Sequence, residues 1–309
     1  MLLNGKGPIP ESFHGTRVHA SLGHGPGVEP PLLNSSARVL SRKRRAIRRV
    51  LRAVSRLAAR RRTSRSLVLL YHSVGRSSYS VQPENFEAQI RYLKAHARVV
   101  TLDAIVSGRH RDSDAPLTCA ITFDDGYAGV YEYAYPILCR YGFPAVLYVT
   151  TSALDREGAE RPYQNPGFYP DELTMTWGQA REMSKAGITI GSHLCHHLKM
   201  TELRPEIGIE ELGRSKDIIS DQVAAECKHF AYPYGLFNAE NAHWVSQCGY
   251  ESAVTVRHSI LPDRLDALRI PRMCIDPVNS WADFEGMLHG DLDYLLVVRE
   301  IRQVLGLPI

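Results

Sequence analysis

Two short stretches hold most of the side chains in this sequence that could do chemistry together. GSHLCHHL, residues 191–198, packs His193, Cys195, His196 and His197 into five positions, and TFDDG, residues 122–126, sets Asp124 and Asp125 ahead of a glycine. Neutral imidazole and carboxylate are good ligands for a divalent transition metal, and a site with three protein ligands leaves a position for a reactive water. Two histidines and one aspartate make such a set. His193 with His197, or His193 with His196, could converge in a helical turn. Adjacent His196 and His197 point in different directions, and spacing leaves the choice open. In the aspartate pair, one carboxylate can bind metal while the other takes a proton, with Gly126 allowing a sharp turn. A cation nearby keeps both ionised. The plainer reading of Asp-Asp-Gly is a helix cap. Cys195 reads as buried lining rather than a ligand.

Such residues need a framework that brings distant positions together. From Ser66 onward, short apolar runs alternate with amphipathic helical stretches: SLVLLYH, then PENFEAQIRYLKAHA, VVTL and a short helix near Asp103 to Ser107. TCAITFDDG ends a strand, YAGVYEYAYPILCRYG is expected as a helix, and PAVLYVT as a strand. WGQAREMSKAG, ITIGSH, a helix from about Arg204 to Gln222, CKHFAYPYG, ENAHWVSQCGY, ESAVTV, LRIPRMCI and a helix from Trp281 complete the series. Repeated strand-then-helix units predict a parallel sheet, as a barrel or a doubly wound sheet, with functional residues at the C-terminal ends of its strands. His72, Asp124, Asp125, His193 and Tyr234 each follow a strand-like run. Trp177, Tyr232 and Trp244 fit core packing as well as sugar stacking.

Taken together, TFDDG, GSHLCHHLKMTEL and FAYPYG resemble the polysaccharide deacetylase family (carbohydrate esterase family 4), over about Leu67 to Leu288. The resemblance implies a distorted (β/α) barrel and metal-dependent removal of N-acetyl groups from an N-acetylated glycan. By position, it implies Asp125, His193 and His197 as metal ligands and Asp124 as general base. His196 falls at a non-ligand position, and the backbone N–H of Tyr234 would face the developing oxyanion. Zinc is the first expectation, with cobalt, nickel, iron or manganese also compatible. Two positions depart from the family. Leu194 replaces a serine or threonine whose hydroxyl holds the loop, with Ser192 as the candidate substitute. Ala231 replaces an arginine that orients the base, with Arg272 as the candidate substitute. The family's Leu-x-His motif, which supplies the general acid, matches Leu70-Tyr71-His72 at the front, in the permuted order of the extracellular biofilm-glycan deacetylases. Met287-Leu288-His289 lies in a helical stretch and is an accidental match. Rival readings are a same-fold hydrolase of another amide and a non-catalytic glycan-binding or membrane-associated scaffold.

The chain has 309 residues, 44% of them hydrophobic, enough for a sizeable core. Its longest apolar runs fall well short of the roughly 20 residues that span a bilayer. Six cysteines are scattered with no Cys-x-x-Cys pair and read as reduced. The net charge of +4 is uneven. Residues 1–65 hold 15 Lys/Arg and 2 Glu, or +13, leaving 22 basic and 31 acidic residues, or −9, for 66–309. Three segments are therefore expected: a disordered tail (1–37), a basic amphipathic helix (38–65) and a catalytic domain (66–309). The basic helix suits an anionic membrane surface through residues 41–62, or docking on its own domain; without aromatic interleaving, nucleic acid is not expected. With no apolar core of a secretion signal near the N-terminus, the expected location is cytoplasmic, with peripheral contact at the inner membrane surface.

Overall fold

The computed structural model describes residues 50–53, 55, 64–111, 115–155, 165 and 167–293. The expected tail and most of the basic segment lie outside the described residues. Strands β1 (Arg65–Tyr71), β2 (Arg98–Val99), β3 (Leu117–Phe123), β4 (Val146–Val149), β5 (Thr189–Ser192), β6 (His229–Ala231), β7 (Ser252–Val254) and β8 (Met273–Cys274) make one sheet. Every pairing is parallel, and the order is β7-β6-β5-β4-β3-β1-β8. β2 pairs with the first half of β3, and β4 with the second half. Around the sheet run α1 (Pro83–His96), α2 (Leu102–Val106), α3 (Tyr135–Tyr141), α4 (Thr151–Leu154), α5 (Trp177–Lys185), α6 (Pro205–Val223), α7 (Ala239–Gln247) and α8 (Trp281–His289).

The sheet curls until its ends nearly meet. Ile270 donates to Ala253 and accepts from Thr255, and Arg272 donates to Arg257; beyond them, Met273 and Cys274 pair with Leu69 and Leu70 of β1. The stretch 270–274 therefore bonds to the β7 end on one side and to β1 on the other, giving the distorted (β/α) barrel that the motifs imply. β1 from Leu67 onward and all of β3 are buried, because both faces of these strands are covered. Leu67, Leu69 and Tyr71 pack towards the helices, whereas Val68, Ala120, Val146, Tyr148, Ala231, Val254 and Ile270 form a smaller core inside the curl. Space there is tight: a Cβ on Gly191 would stand 2.6 Å from the Tyr148 ring.

Two local differences have clear causes. β1 begins at Arg65, the last residue of the expected basic helix, because Arg65 N–H donates to Pro116 O and its guanidinium pairs with Asp293 at 2.8 Å. The single helix expected from YAGVYEYAYPILCRYG opens instead with a π-turn, Val130–Ala134, before α3. Pro136 has no N–H to give the preceding turn, so the regular ladder cannot run through it.

Candidate active site

The C-terminal strand ends gather the candidate residues. His72 follows β1, Asp124 and Asp125 follow β3, His193 follows β5, and Tyr234 lies just beyond β6. Asp125, His193 and His197 present one ligand atom each within 4.8 Å of one another, all buried. His193 Nδ1 donates to Ala231 O at 2.7 Å, which leaves Nε2, 3.4 Å from Asp125 Oδ1, to face that carboxylate with a proton or, once a cation lies between them, with a lone pair. His197 Nε2 lies 3.5 Å from the same oxygen. Lone pairs and a carboxylate at that spacing repel unless a proton or cation lies between them. Tetrahedral ligands about 2.1 Å from a small transition-metal dication stand about 3.4 Å apart, so the donor set fits one.

The histidines do not meet through a helical turn, as their spacing allowed. They meet across a loop in which Leu194 (φ 67°) and His197 (φ 53°) are left-handed. Asp125 (φ 71°) and Tyr234 (φ 58°) are too, so four of the five described non-glycine residues with positive φ surround this site. Such backbone persists only where its surroundings hold it. Here the loop carbonyls of Leu194 and Cys195 accept from the N–H groups of Thr151 and Ser152, and His193 O accepts from the Thr150 hydroxyl. Ser192 Oγ accepts from Leu194 N–H at 3.2 Å and bonds Ser215. That hydroxyl ties the start of the loop to α6, and Leu194 packs in the core.

His196 is turned away by Glu211, a buried carboxylate on α6. It bonds His196 Nδ1 at 2.6 Å and accepts from the backbone N–H groups of Cys195 and His196. Cys195 is buried, its thiol on Glu211 O. His197→Ala is therefore expected to abolish retention of a transition metal through dialysis, and His196→Ala to preserve it, as measured by metal content per chain. The reverse pattern would mean that the wrong ring was assigned to the site.

Asp124 sits beside the triad but faces another partner. Arg272 Nη1 and Nη2 donate to its two carboxylate oxygens at 2.7 and 2.6 Å, while Nε donates to Thr255 O and Nη1 also reaches Thr122 Oγ1. Both side chains are buried, Arg272 completely, with its guanidinium over the Tyr148 ring. Burial opposes ionisation of Asp124, but the charge and hydrogen bonds of Arg272 outweigh it and hold the carboxyl below its ordinary range. Burial likewise opposes ionisation of Asp125, and the bond from His193 with the charges of His72, His197 and His193 overrides it. Burial and the neighbouring His193 push His197 down to about 4, leaving it neutral and able to ligate at neutral pH.

His72 is half-buried, within electrostatic reach of Asp124, Asp125 and His197. Its ring lies 6.1 Å from that of Tyr169, part of a strap leading to Thr174, where Tyr127 and Thr174 bridge. Phe168 of the strap packs its ring against His197, and Tyr234 packs on the same imidazole. A Cβ on Gly167 (φ 104°) would fall 2.6 Å from the Tyr234 hydroxyl and 2.9 Å from the His197 ring, so only glycine lets the strap lie this close. Gly167→Ala is expected to lower kcat/KM several-fold with the fold intact, read by steady-state kinetics. Trp177, Tyr232 and Trp244 are core residues. Met287-Leu288-His289 lies in α8, where His289 bonds Tyr92. Neither Glu211 nor the strap carried any signal in sequence spacing.

Residues 112–253 match the family described as Polysaccharide deacetylase. That stretch carries the polysaccharide deacetylase domain match. Its relatives include YxkH of Bacillus subtilis strain 168, which has a provisional polysaccharide deacetylase name, 25% identical over 220 residues, covering 70% of this chain and 74% of that protein. Another is the poly-beta-1,6-N-acetyl-D-glucosamine N-deacetylase of Staphylococcus aureus, 26% identical over 208 residues, covering 64% of this chain and 68% of that one. The fold is shared with the Streptococcus pyogenes deacetylase PplD, solved in complex with acetate: TM-score 0.63 at 21% identity, covering 74% of this chain and 99% of that chain.

Proposed function

We propose that this chain is a metal-dependent hydrolase that removes N-acetyl groups from an N-acetylamino sugar of a glycan, with zinc as the resident metal. The observation that carries the reading is the buried Asp125, His193 and His197 set beside an aspartate locked in bidentate contact with Arg272. The name of the Staphylococcus aureus relative makes a β-1,6-linked N-acetylglucosamine polymer the first substrate to test.

Asp125, His193 and His197 would hold the metal. When bound there, a divalent cation polarises the acetamide carbonyl and lowers the pKa of an attacking water towards roughly 7, within reach of a carboxylate whose basicity Arg272 has weakened. Asp124 takes the water's proton. Each of its oxygens gives one lone pair to Arg272 and retains another, so orientation and proton acceptance do not compete. As the carbonyl oxygen gains charge, the backbone N–H of Tyr234, in its left-handed turn, donates to it. His72 gives a proton to the nitrogen as the C–N bond breaks, so an amine leaves rather than an amide anion. The Phe168 and Tyr234 rings exclude bulk water beside His197. Acetate release from N-acetylglucosamine oligomers, compared with release from O-acetylated sugars and from peptide and cyclic amides, tests the reading. Preference for the N-acetyl sugar supports it; turnover confined to another amide overturns it.

The same reading places the protein in the cytoplasm, at an anionic membrane surface reached through residues 41–62. The 13 Lys/Arg between Arg38 and Arg65, with no acidic residue among them, support this. Among the described residues no helix is long and apolar enough to cross a membrane. Val50 is exposed, while Arg52 bonds Asp283 of α8 at 2.6 Å, so part of the segment rests on the protein's own domain. Full-length protein is expected to float with anionic liposomes and residues 66–309 to remain behind; equal flotation of both would contradict the membrane assignment.

A further inference from the structure

Glu172 is a buried carboxylate that the mechanism does not use. Its partners are three hydroxyls, those of Ser73, Ser77 and Ser80. Ser73 follows His72, and Glu172 closes the strap carrying Gly167, Phe168 and Tyr169. Ser77 and Ser80 flank Tyr79, and Tyr79 N–H donates to Ser77 Oγ at 3.2 Å. One carboxylate therefore pins the loop on both sides of Tyr79 and ties it to the strap over the active site.

Tyr79 keeps 40% of its surface exposed on this pinned loop. Its ring lies 5.0 Å from Tyr169 at 16°, and Tyr169 lies 5.1 Å from Tyr127 at 8°. The stack thus runs from solvent to a phenol that burial, and then the charge of Asp125, hold well above its ordinary pKa. Leu173, 40% exposed, follows Glu172 directly in the chain. A surface tyrosine alone means little. This one has a stacked ring behind it and a buried carboxylate fixing its backbone, so a ligand meeting it pays little ordering entropy.

We propose that Tyr79 is a sugar-binding subsite, a stacking platform for the ring next to the one whose acetamide enters the site. A pyranose with equatorial substituents presents a face of axial C–H bonds, which packs on an aromatic ring while its hydroxyls stay in water. The subsite rests on the glycan deacetylase reading and extends it to a chain of sugars rather than a single one.

Calorimetric titration of the metal-loaded full chain with N-acetylglucosamine oligomers, from the single sugar to the pentamer, tests this. Tyr79→Ala is expected to weaken pentamer binding about ten-fold, with the loss shrinking towards none at the single sugar. Tyr79→Phe and Tyr79→Trp, which keep a ring on the stack, are expected to bind within about two-fold of the parent. Pentamer binding unchanged in Tyr79→Ala, or an equal loss at every length, would overturn the subsite. Acetate release is followed in parallel: Tyr79-dependent binding without release leaves the subsite standing and removes the deacetylase reading, whereas release with Tyr79-independent binding removes the subsite alone.

Discussion

Asp124→Asn is expected to lower kcat for acetate release by at least about a hundred-fold while leaving metal content unchanged. An asparagine amide fills the same space but offers no anionic oxygen to receive the water's proton. The group placed to hold a metal is Asp125, His193 and His197, and none of its three candidate ligand atoms belongs to Asp124. Parallel kinetics and metal analysis of one preparation check both halves. Loss of metal along with activity would make Asp124 a ligand, and retained activity would place the base elsewhere.

Arg272→Met should have the largest effect on stability. It removes the four hydrogen bonds of the guanidinium and leaves a carboxylate, only 2% exposed, without its counter-charge. Breaking a buried pair from one side costs about 3–5 kcal/mol, more than the pair contributes net, because the surviving charge stays desolvated. Unfolding is expected to shift down by on the order of ten degrees. Adding Asp124→Asn to Arg272→Met should recover part of that loss, since the stranded charge is then gone. A double variant less stable than Arg272→Met by the full cost of Asp124→Asn alone would show that the two side chains act independently.

Acid sensitivity follows with a defined sign. Both Asp124 and His197 have pKa values lower in the folded protein than in the unfolded chain. Each therefore adds stability above its unfolded value and loses it as pH falls through the folded one. For His197 in metal-free protein the window runs from roughly pH 6.5 down to about 4. Denaturant midpoints should fall across it, and less steeply in His197→Gln.

TFDDG and the histidines of GSHLCHHL were legible as candidate metal ligands from their types, and the resemblance to the deacetylase family narrowed the histidines to the framing pair. Their route together was not legible. Left-handed backbone is uncommon for any residue with a side chain, so no propensity places it at Leu194 and His197. It is held by bonds from Thr150, Thr151, Ser152 and Ser192 on neighbouring segments. His196 was set aside by its place in a motif; the physical cause, Glu211, lies 15 residues away with no signature of its own. Arg272 could be named as a candidate for Asp124, but their contact spans 148 residues and exists only because the stretch 270–274 completes the curl between β7 and β1. The serines around Glu172 left no trace either, since a loop of small polar residues reads as a solvated turn until a buried carboxylate is found among them.

The most direct measurement is a titration of metal-stripped protein with zinc, following acetate release from an N-acetylglucosamine oligomer against metal bound. The buried Asp125, His193 and His197 set predicts release that is absent without metal, rises in proportion to occupancy and levels off at one equivalent per chain. Undiminished release from metal-free protein, or one equivalent bound with no release from any N-acetylated sugar, would contradict it.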